Sequence, residues 1–222
     1  MFKLYSEIPA LSSITTESDR LYMTPDGDFP SVTTILSATS YNPFLEKWKQ
    51  NVGEEEAERI RTEATDKGTL VHEALEQIIP TGDMSYIENY PRQLKATVID
   101  ILQFIKKYRI KILTQETGLW HKELRFAGRC DAIGIVNDKL TLIDFKTSKK
   151  KKPEQWVKDY KLQCSAYSLA HDDLFEQKIE QFLILIGVYD YGVQHFVGNP
   201  VHFIPEFKGR VRQFYEQQKQ KG

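Results

Sequence analysis

Apolar positions along the chain change period near residue 110. Before it, Val71, Leu75 and Ile78/Ile79 recur at helical spacing in a stretch, 54–79, rich in Glu, Ala, Arg and Lys. This predicts a long helix, kinked or broken where Gly68 interrupts it. Pro80 and the Thr-Gly-Asp that follows end that helix, and Pro91 opens another through Tyr108 with Leu94, Val98, Ile101, Leu102 and Ile105 on one stripe. Upstream, Leu21-Tyr-Met, Pro25-Asp-Gly and Phe29 predict a hairpin over 20–29. Ser31 then caps a short helix through Leu36, and Pro43 begins a second that carries Phe44, Leu45 and Trp48. After residue 110, segments 110–117, 119–127, 129–136, 139–147 and 182–190 are rich in Ile, Leu, Phe, Val and Thr and predict strands, with 193–203 continuing the sheet. Helices are predicted at 154–170 and, basic and amphipathic, at 205–219. Helices first, then a sheet with a helix crossing inside it, define an α/β class with a mixed central sheet flanked by helices. With no repeat and no long linker, residues 1–222 are expected to form one domain: a mainly helical N-terminal region, residues 1–110, a sheet core with its crossing helix, 111–204, and a closing helix, 205–222.

Composition narrows the function. The 222 residues are 41% hydrophobic and 27% charged, an ordinary globular balance that excludes a disordered chain or a disulfide scaffold. The formal net charge of −1 excludes a protein that holds nucleic acid by bulk charge, so any such site is a local patch. The longest apolar run, 182–189, has eight residues where a membrane helix needs roughly 20, so no membrane partner is expected. The first 20 residues have no signal-peptide core and carry acids that a transit peptide avoids; a cytoplasmic protein without a targeting signal is expected. Cys130 and Cys164 are too few for a four-cysteine site without another chain, so no iron–sulfur cluster is expected.

The chemistry concentrates in 128–146. Asn137-Asp138, both tolerant of left-handed backbone, serve as a two-residue turn, which pairs 135 with 140, 133 with 142 and 131 with 144. Asp131 then opposes Asp144 at a Cβ separation of about 4.5–5.5 Å. The other face of the same strands, with Ala132, Val136, Ile143 and Phe145, is also apolar, so both strands are expected to be central and buried on both sides. Two carboxylates this close at a core edge cannot both stay ionised cheaply: either one is protonated or a cation lies between them. Lys146, two residues past Asp144, shares its face and can orient a water or neutralise a phosphate.

The pattern Gly-Arg-x-Asp131 followed by Asp144-x-Lys146 resembles the motif pair of the PD-(D/E)xK nuclease superfamily, whose core is a restriction-endonuclease-like α/β fold. Three further features resemble its RecB-like exonuclease branch: His72 in Gly68-Thr-Leu-Val-His72-Glu-Ala-Leu-Glu, Gln163-Cys-Ser-Ala-Tyr167, and Glu116 ahead of Asp131. Pro30-Ser-Val-Thr, Leu45-Glu-Lys-Trp48-Lys and Ile143-Asp-Phe-Lys-Thr-Ser148 also have counterparts in that branch. The resemblance spans roughly 20–190. It implies a metal held by His72, Asp131, Asp144 and the Phe145 backbone carbonyl, a mainly oxygen site with one imidazole that suits Mn²⁺ or Mg²⁺. It further implies catalytic roles for Lys146, Asp144, Asp131, Gln163 and Tyr167, and for Glu116 a role in positioning Lys146 or a metal water. The implied activity is hydrolysis of single-stranded DNA from an end to 5′-phosphate products by a monomer, in replication, repair or recombination, with proteins of those pathways as partners. The alternatives are an endonuclease for branched or duplex DNA with the same site, or a vestigial nuclease that only binds.

Candidate DNA contacts follow. Lys149, Lys150, Lys151 and Lys152 leave the active-site edge together and can grip phosphates, with Trp156 and Tyr160 as stacking surfaces for unpaired bases. Ser31, Thr33 and Trp48 lie in helices expected to build a cover or arch over the site. Without the cluster cysteines of some RecB-like relatives and without an expected mitochondrial leader, the resemblance implies a compact microbial or bacteriophage version.

Overall fold

The computed structural model describes residues 10–16, 19–40 and 43–221. A small antiparallel sheet comes first, strands β1 (Ser12–Thr15), β2 (Arg20–Thr24) and β3 (Gly27–Pro30) in that spatial order. The predicted hairpin is its β2–β3 pair, closed by Pro25 and Asp26 with Thr24 opposite Gly27, whose φ of +123° needs glycine. Strand β1 is invisible to pattern: all four of its residues are exposed, so they carry no alternation.

Helices α1 (Val32–Thr39), α2 (Pro43–Val52), α3 (Glu54–Thr81) and α4 (Arg92–Lys107) follow. Next come strands β4 (Lys111–His121), β5 (Phe126–Val136) and β6 (Lys139–Ser148), helix α5 (Lys158–Leu174), strands β7 (Gln181–Val188) and β8 (Gly192–Gly198), and helix α6 (Ile204–Lys221). The five later strands form one sheet in sequence order, antiparallel throughout except for β6 and β7, which run parallel because α5 carries the chain back between them. Both faces are covered, as the doubly apolar hairpin requires. On one face Ile133, Leu142 and Ile184 pack with α1, α5 and α6; on the other Ala132, Ile143, Phe145 and Leu183 pack with α3 and α4. No helix among the described residues is long and apolar enough to cross a membrane.

Four elements depart from the pattern. The predicted strands 110–117, 119–127 and 129–136 are two strands, not three. Gly118 and Gly128, which read as breaks in the sequence, lie within β4 and β5, and the turn falls after His121, where Arg125 has φ +54°. Both glycines mark close approaches: an added Cβ would sit 2.7 Å from Leu11 Cγ at Gly118 and 2.7 Å from Tyr167 Cε1 at Gly128. Helix α3 is continuous through Gly68, because one helical glycine costs only about 0.5–1 kcal/mol and the buried stripe Val71, Ala74, Leu75 and Ile78 outweighs it. Strand β8 stops at Gly198, where Asn199 caps a 3-10 turn, Pro200–His202. The crossing helix starts at Lys158 after a 3-10 turn, Glu154–Val157. The helix predicted from Pro43 is α2; the side chains of Phe44 and Leu45 lie outside the described residues.

Candidate active site

Strands β5 and β6 pair in the predicted register from Val136↔Lys139 to Ala132↔Ile143. The ladder stops there, one pair short of Asp131 and Asp144. Beyond it the Phe145 N–H donates not to a β5 carbonyl but to Asp131 Oδ2, at 2.7 Å, so the Asp131 carboxylate occupies the fork where the two strands part. On the other side of β5, the pairs Gln115↔Ala132 and Thr117↔Cys130 flank Glu116 and Asp131, which therefore face each other across an unpaired step. Glu116 has φ +50°, a left-handed backbone rare outside glycine, that accompanies the break. Glu116, Asp131 and Asp144 thus form a row of carboxylates on three adjacent strands.

Helix α3 lies over this row. Gly68 passes Thr147 of β6, and one turn later His72 reaches down, with Nδ1 3.5 Å from Asp131 Oδ1 and its ring edge-on to Phe145 at 6.4 Å. His72, Glu116 and Asp131 offer ligand atoms that all lie within 4.8 Å of one another. Asp144 stands beside that trio rather than in it. Its Oδ1 accepts from Lys146 Nζ at 2.5 Å, while Oδ2 is buried without a hydrogen-bond partner. A buried carboxylate oxygen left unpaired beside two more carboxylates and an imidazole fits a divalent cation by its donor chemistry.

The electrostatics agree with the crowding. Burial pushes Asp144 up to about 6, Lys146 opposing and Asp131 adding to the rise. Burial pulls Lys146 down, but the fields of Asp144 and Asp131 outweigh it and hold the ammonium above the usual lysine range. Glu116 is pushed by burial up to about 7, with Arg129 opposing and Asp131 and Glu76 reinforcing. Its salt bridge runs to Arg129, Nε to Oε2 at 2.6 Å, and not to Lys146, so the expected positioning of Lys146 falls to Asp144 instead.

Gln163 and Tyr167 lie one turn apart on α5, and the Gln163 side chain opposes the rise that burial gives the Tyr167 hydroxyl. Tyr167 is 5% exposed, packed on Gly128, and within the fields of both Asp131 and Asp144. Tyr160, half-buried nearer the start of the same helix, receives Lys146 Nζ 5.3 Å and Lys152 Nζ 5.9 Å from its ring centroid. Lys149, Lys150 and Lys151 are exposed, Lys152 is half-buried, and Trp156 is exposed nearby.

The residues expected in the cover separate. Ser31 is buried, and its Oγ is committed to capping α1, accepting from Thr34 N–H at 2.9 Å and bonding the Thr33 and Thr34 hydroxyls. It therefore offers no surface to DNA, whereas Thr33 is exposed. Helix α1 packs on α5 and α6, and Ser40 at its end donates to Asp159 at 3.3 Å. The site draws on both layers: His72 reaches Asp131 from α3, whereas Asp144 and Lys146 share the strand face of Leu142 and look toward Tyr160 and Cys164 of α5. Helix α2, with half-buried Trp48, packs on α3 and carries the chain from one face of the sheet to the other.

The sequence profile of the PD-(D/E)XK nuclease superfamily matches residues 41–220, a span that contains the whole carboxylate row, His72 and Lys146. The chain belongs to that superfamily. It is 31% identical over 183 residues to the human mitochondrial genome maintenance exonuclease 1, covering 78% of this chain and 51% of the relative, and 29% identical to the mouse protein over 78% and 52%. This chain thus spans about half the length of those relatives. Among solved structures, an alkaline exonuclease from Laribacter hongkongensis aligns over 86% of this chain and 88% of its own with 12% identity and a TM-score of 0.45.

Two residues of this PD-(D/E)XK site escape the pattern reading. Arg129 is in view, as the arginine of Gly-Arg-x-Asp131, but its partner depends on the unpaired step at Glu116. Glu76 lies one helical turn beyond His72, a spacing that places it on the same face, and its charge acts on Glu116.

Proposed function

We propose that this chain is a metal-dependent exonuclease for single-stranded DNA that leaves 5′-phosphate products and works as a monomer in replication, repair or recombination. The observation that carries the proposal is the carboxylate row ending in the buried Asp144–Lys146 pair, with one Asp144 oxygen unpartnered. Membership of a nuclease superfamily and likeness to exonucleases by name support the same reading. His72, Asp131 and Asp144, with the Phe145 carbonyl, are the residues that would hold Mg²⁺ or Mn²⁺, and such an ion supplies positive charge beside the scissile phosphate and acidifies water there.

The chain's own groups do the rest. Lys146, held as an ammonium by its carboxylate neighbours, donates to the attacking water or to a phosphate oxygen and offsets charge that grows during attack. Glu116, with a value near 7, is poised at neutral pH to accept a proton from water. In-line attack displaces the 3′ oxygen and leaves the phosphate on the 5′ carbon of the next nucleotide. Gln163 and Tyr167 brace the carboxylates from the α5 side. Lys149 to Lys152 with Trp156 and Tyr160, and Thr33 and Trp48 at the rim, provide phosphate and base contacts for one strand.

On the exonuclease reading a strand reaches Lys146 by its free end. Linear single-stranded DNA should be degraded in Mg²⁺ or Mn²⁺ while a circular single strand of the same sequence persists. Equal digestion of the circle would replace the exonuclease with an endonuclease.

A further inference from the structure

We infer that Tyr191 is a stacking platform for an unpaired base of the strand being cut; the inference rests on the nuclease reading above and adds a subsite to it. Tyr191 lies in the turn between β7 and β8; one bond ties that turn to the active end of the sheet, one closes it, and one ties it to α4. Tyr189 N–H donates to the Ser148 carbonyl at 3.0 Å, two residues past Lys146, and Tyr191 N–H donates to the Val188 carbonyl at 3.0 Å. Asp190 accepts from Gln93 of α4 at 2.8 Å. The neighbours Asp190, φ +58°, and Gly192, φ +108°, both hold left-handed backbone, so the turn is tight, and Tyr191 projects from it with 60% of its surface exposed. A large aromatic ring left in water on a well-anchored turn contributes little to the core, which is where such rings ordinarily serve the fold.

One side of the ring is already engaged. Lys151 Nζ lies 3.7 Å from the Tyr191 centroid, well inside the range of a cation–π contact. Lys151 in turn sits in a loop whose shape is set by Gln194 of β8, which accepts from Lys152 N–H at 2.9 Å and donates to the Lys152 carbonyl at 2.8 Å. Ring, ammonium and loop are therefore one prearranged unit. The ammonium suits a phosphate and the ring a base, the pairing of groups by which single strands are held without sequence preference. From Lys146 to Ser148, the anchor of the Tyr189 N–H, strand β6 advances roughly 7 Å, about two stacked nucleotides at about 3.4 Å each. Neither Tyr191 nor Gln194 is marked by sequence pattern, because their position beside the lysine loop comes from the β6–β7–β8 pairing.

The test is binding of a fluorescein-labelled 12-residue oligothymidine in Ca²⁺, followed by anisotropy, for the wild type, Tyr191→Ala and Tyr191→Phe, with thermal melting to confirm that each variant is folded. Stacking predicts that Tyr191→Ala weakens affinity roughly fivefold to 150-fold and that Tyr191→Phe restores it. Wild-type affinity in Tyr191→Ala, or an equal loss in Tyr191→Phe, would overturn the platform while leaving the nuclease reading intact. If the wild type itself binds no strand, the nucleic-acid reading falls and the platform with it.

Discussion

Asp144 is a carboxylate held where charge is costly, and that makes its proton and a metal ion competitors. Its folded value of about 6 lies above its reference value of 3.8, so in the absence of metal the native state binds the proton more tightly between the two. The carboxyl's contribution to stability is then complete below pH 3.8 and is lost as pH rises through 6. Glu116, raised to about 7, acts in the same direction. A divalent ion binds the charged forms, so the rise in melting temperature on adding Mn²⁺ should be small at pH 5 and distinctly larger at pH 7.5, and should shrink in Asp131→Asn. An increment independent of pH, or one undiminished in Asp131→Asn, would show that the ion binds elsewhere. At this scale the hairpin register is legible in the sequence, because Asn137-Asp138 fixes it and alternation on both faces confirms it. What pattern cannot show is the parting of β5 and β6, which turns an expected head-on pair of aspartates into a fork with Asp131 on the Phe145 N–H. The left-handed Glu116 is equally hidden, since nothing in a glutamate announces φ +50°.

Two glycines separate the element-scale account from its alternatives. At Gly68 an added Cβ would lie 3.7 Å from Thr147 Oγ1, an ordinary contact, and the helix is continuous there. Gly68→Ala should therefore stabilise the protein by about 0.5–1 kcal/mol in urea unfolding through helix propensity. At Gly128 the Cβ would lie 2.7 Å from Tyr167 Cε1 and 2.8 Å from its hydroxyl. Gly128→Ala should cost about 1–3 kcal/mol and displace Tyr167 from the site. Destabilisation at Gly68 would instead support the kink that sequence alone predicts, and a neutral Gly128→Ala would contradict the packing of α5 on β5. The pattern of Gly and Pro marks helix ends well at Gly82 and Pro91, while Pro80 is taken into the last turn of α3. It fails at Gly118 and Gly128 because a glycine that ends a strand and one that admits a neighbour's side chain look the same in one dimension. Strand β1 escapes for the opposite reason: a fully exposed edge strand has no buried side to imprint a period.

At the scale of the whole molecule, the order of helices before sheet and the two apolar faces of 131–145 are enough to anticipate a mixed sheet between helical layers. The assignment of helices to layers is not, because it depends on contacts far apart in sequence: Ser40 with Asp159 and Arg210 with the Leu36 carbonyl tie α1 to the α5–α6 side, while α3 and α4 cover the other face. A net charge of −1 with a cluster of lysines at one sheet end confines the proposed nucleic-acid contact to a local patch next to the carboxylates. The most direct measurement follows end-labelled single-stranded and duplex DNA in Mg²⁺, Mn²⁺ or EDTA with the wild type and Lys146→Ala. The account predicts a ladder from the single strand that requires the metal and is lost in Lys146→Ala, with the variant still folded by thermal melting though less stable, because Asp144 loses its buried partner. DNA that stays intact under every condition yet shifts in a gel would contradict it and leave a binding protein on a nuclease fold.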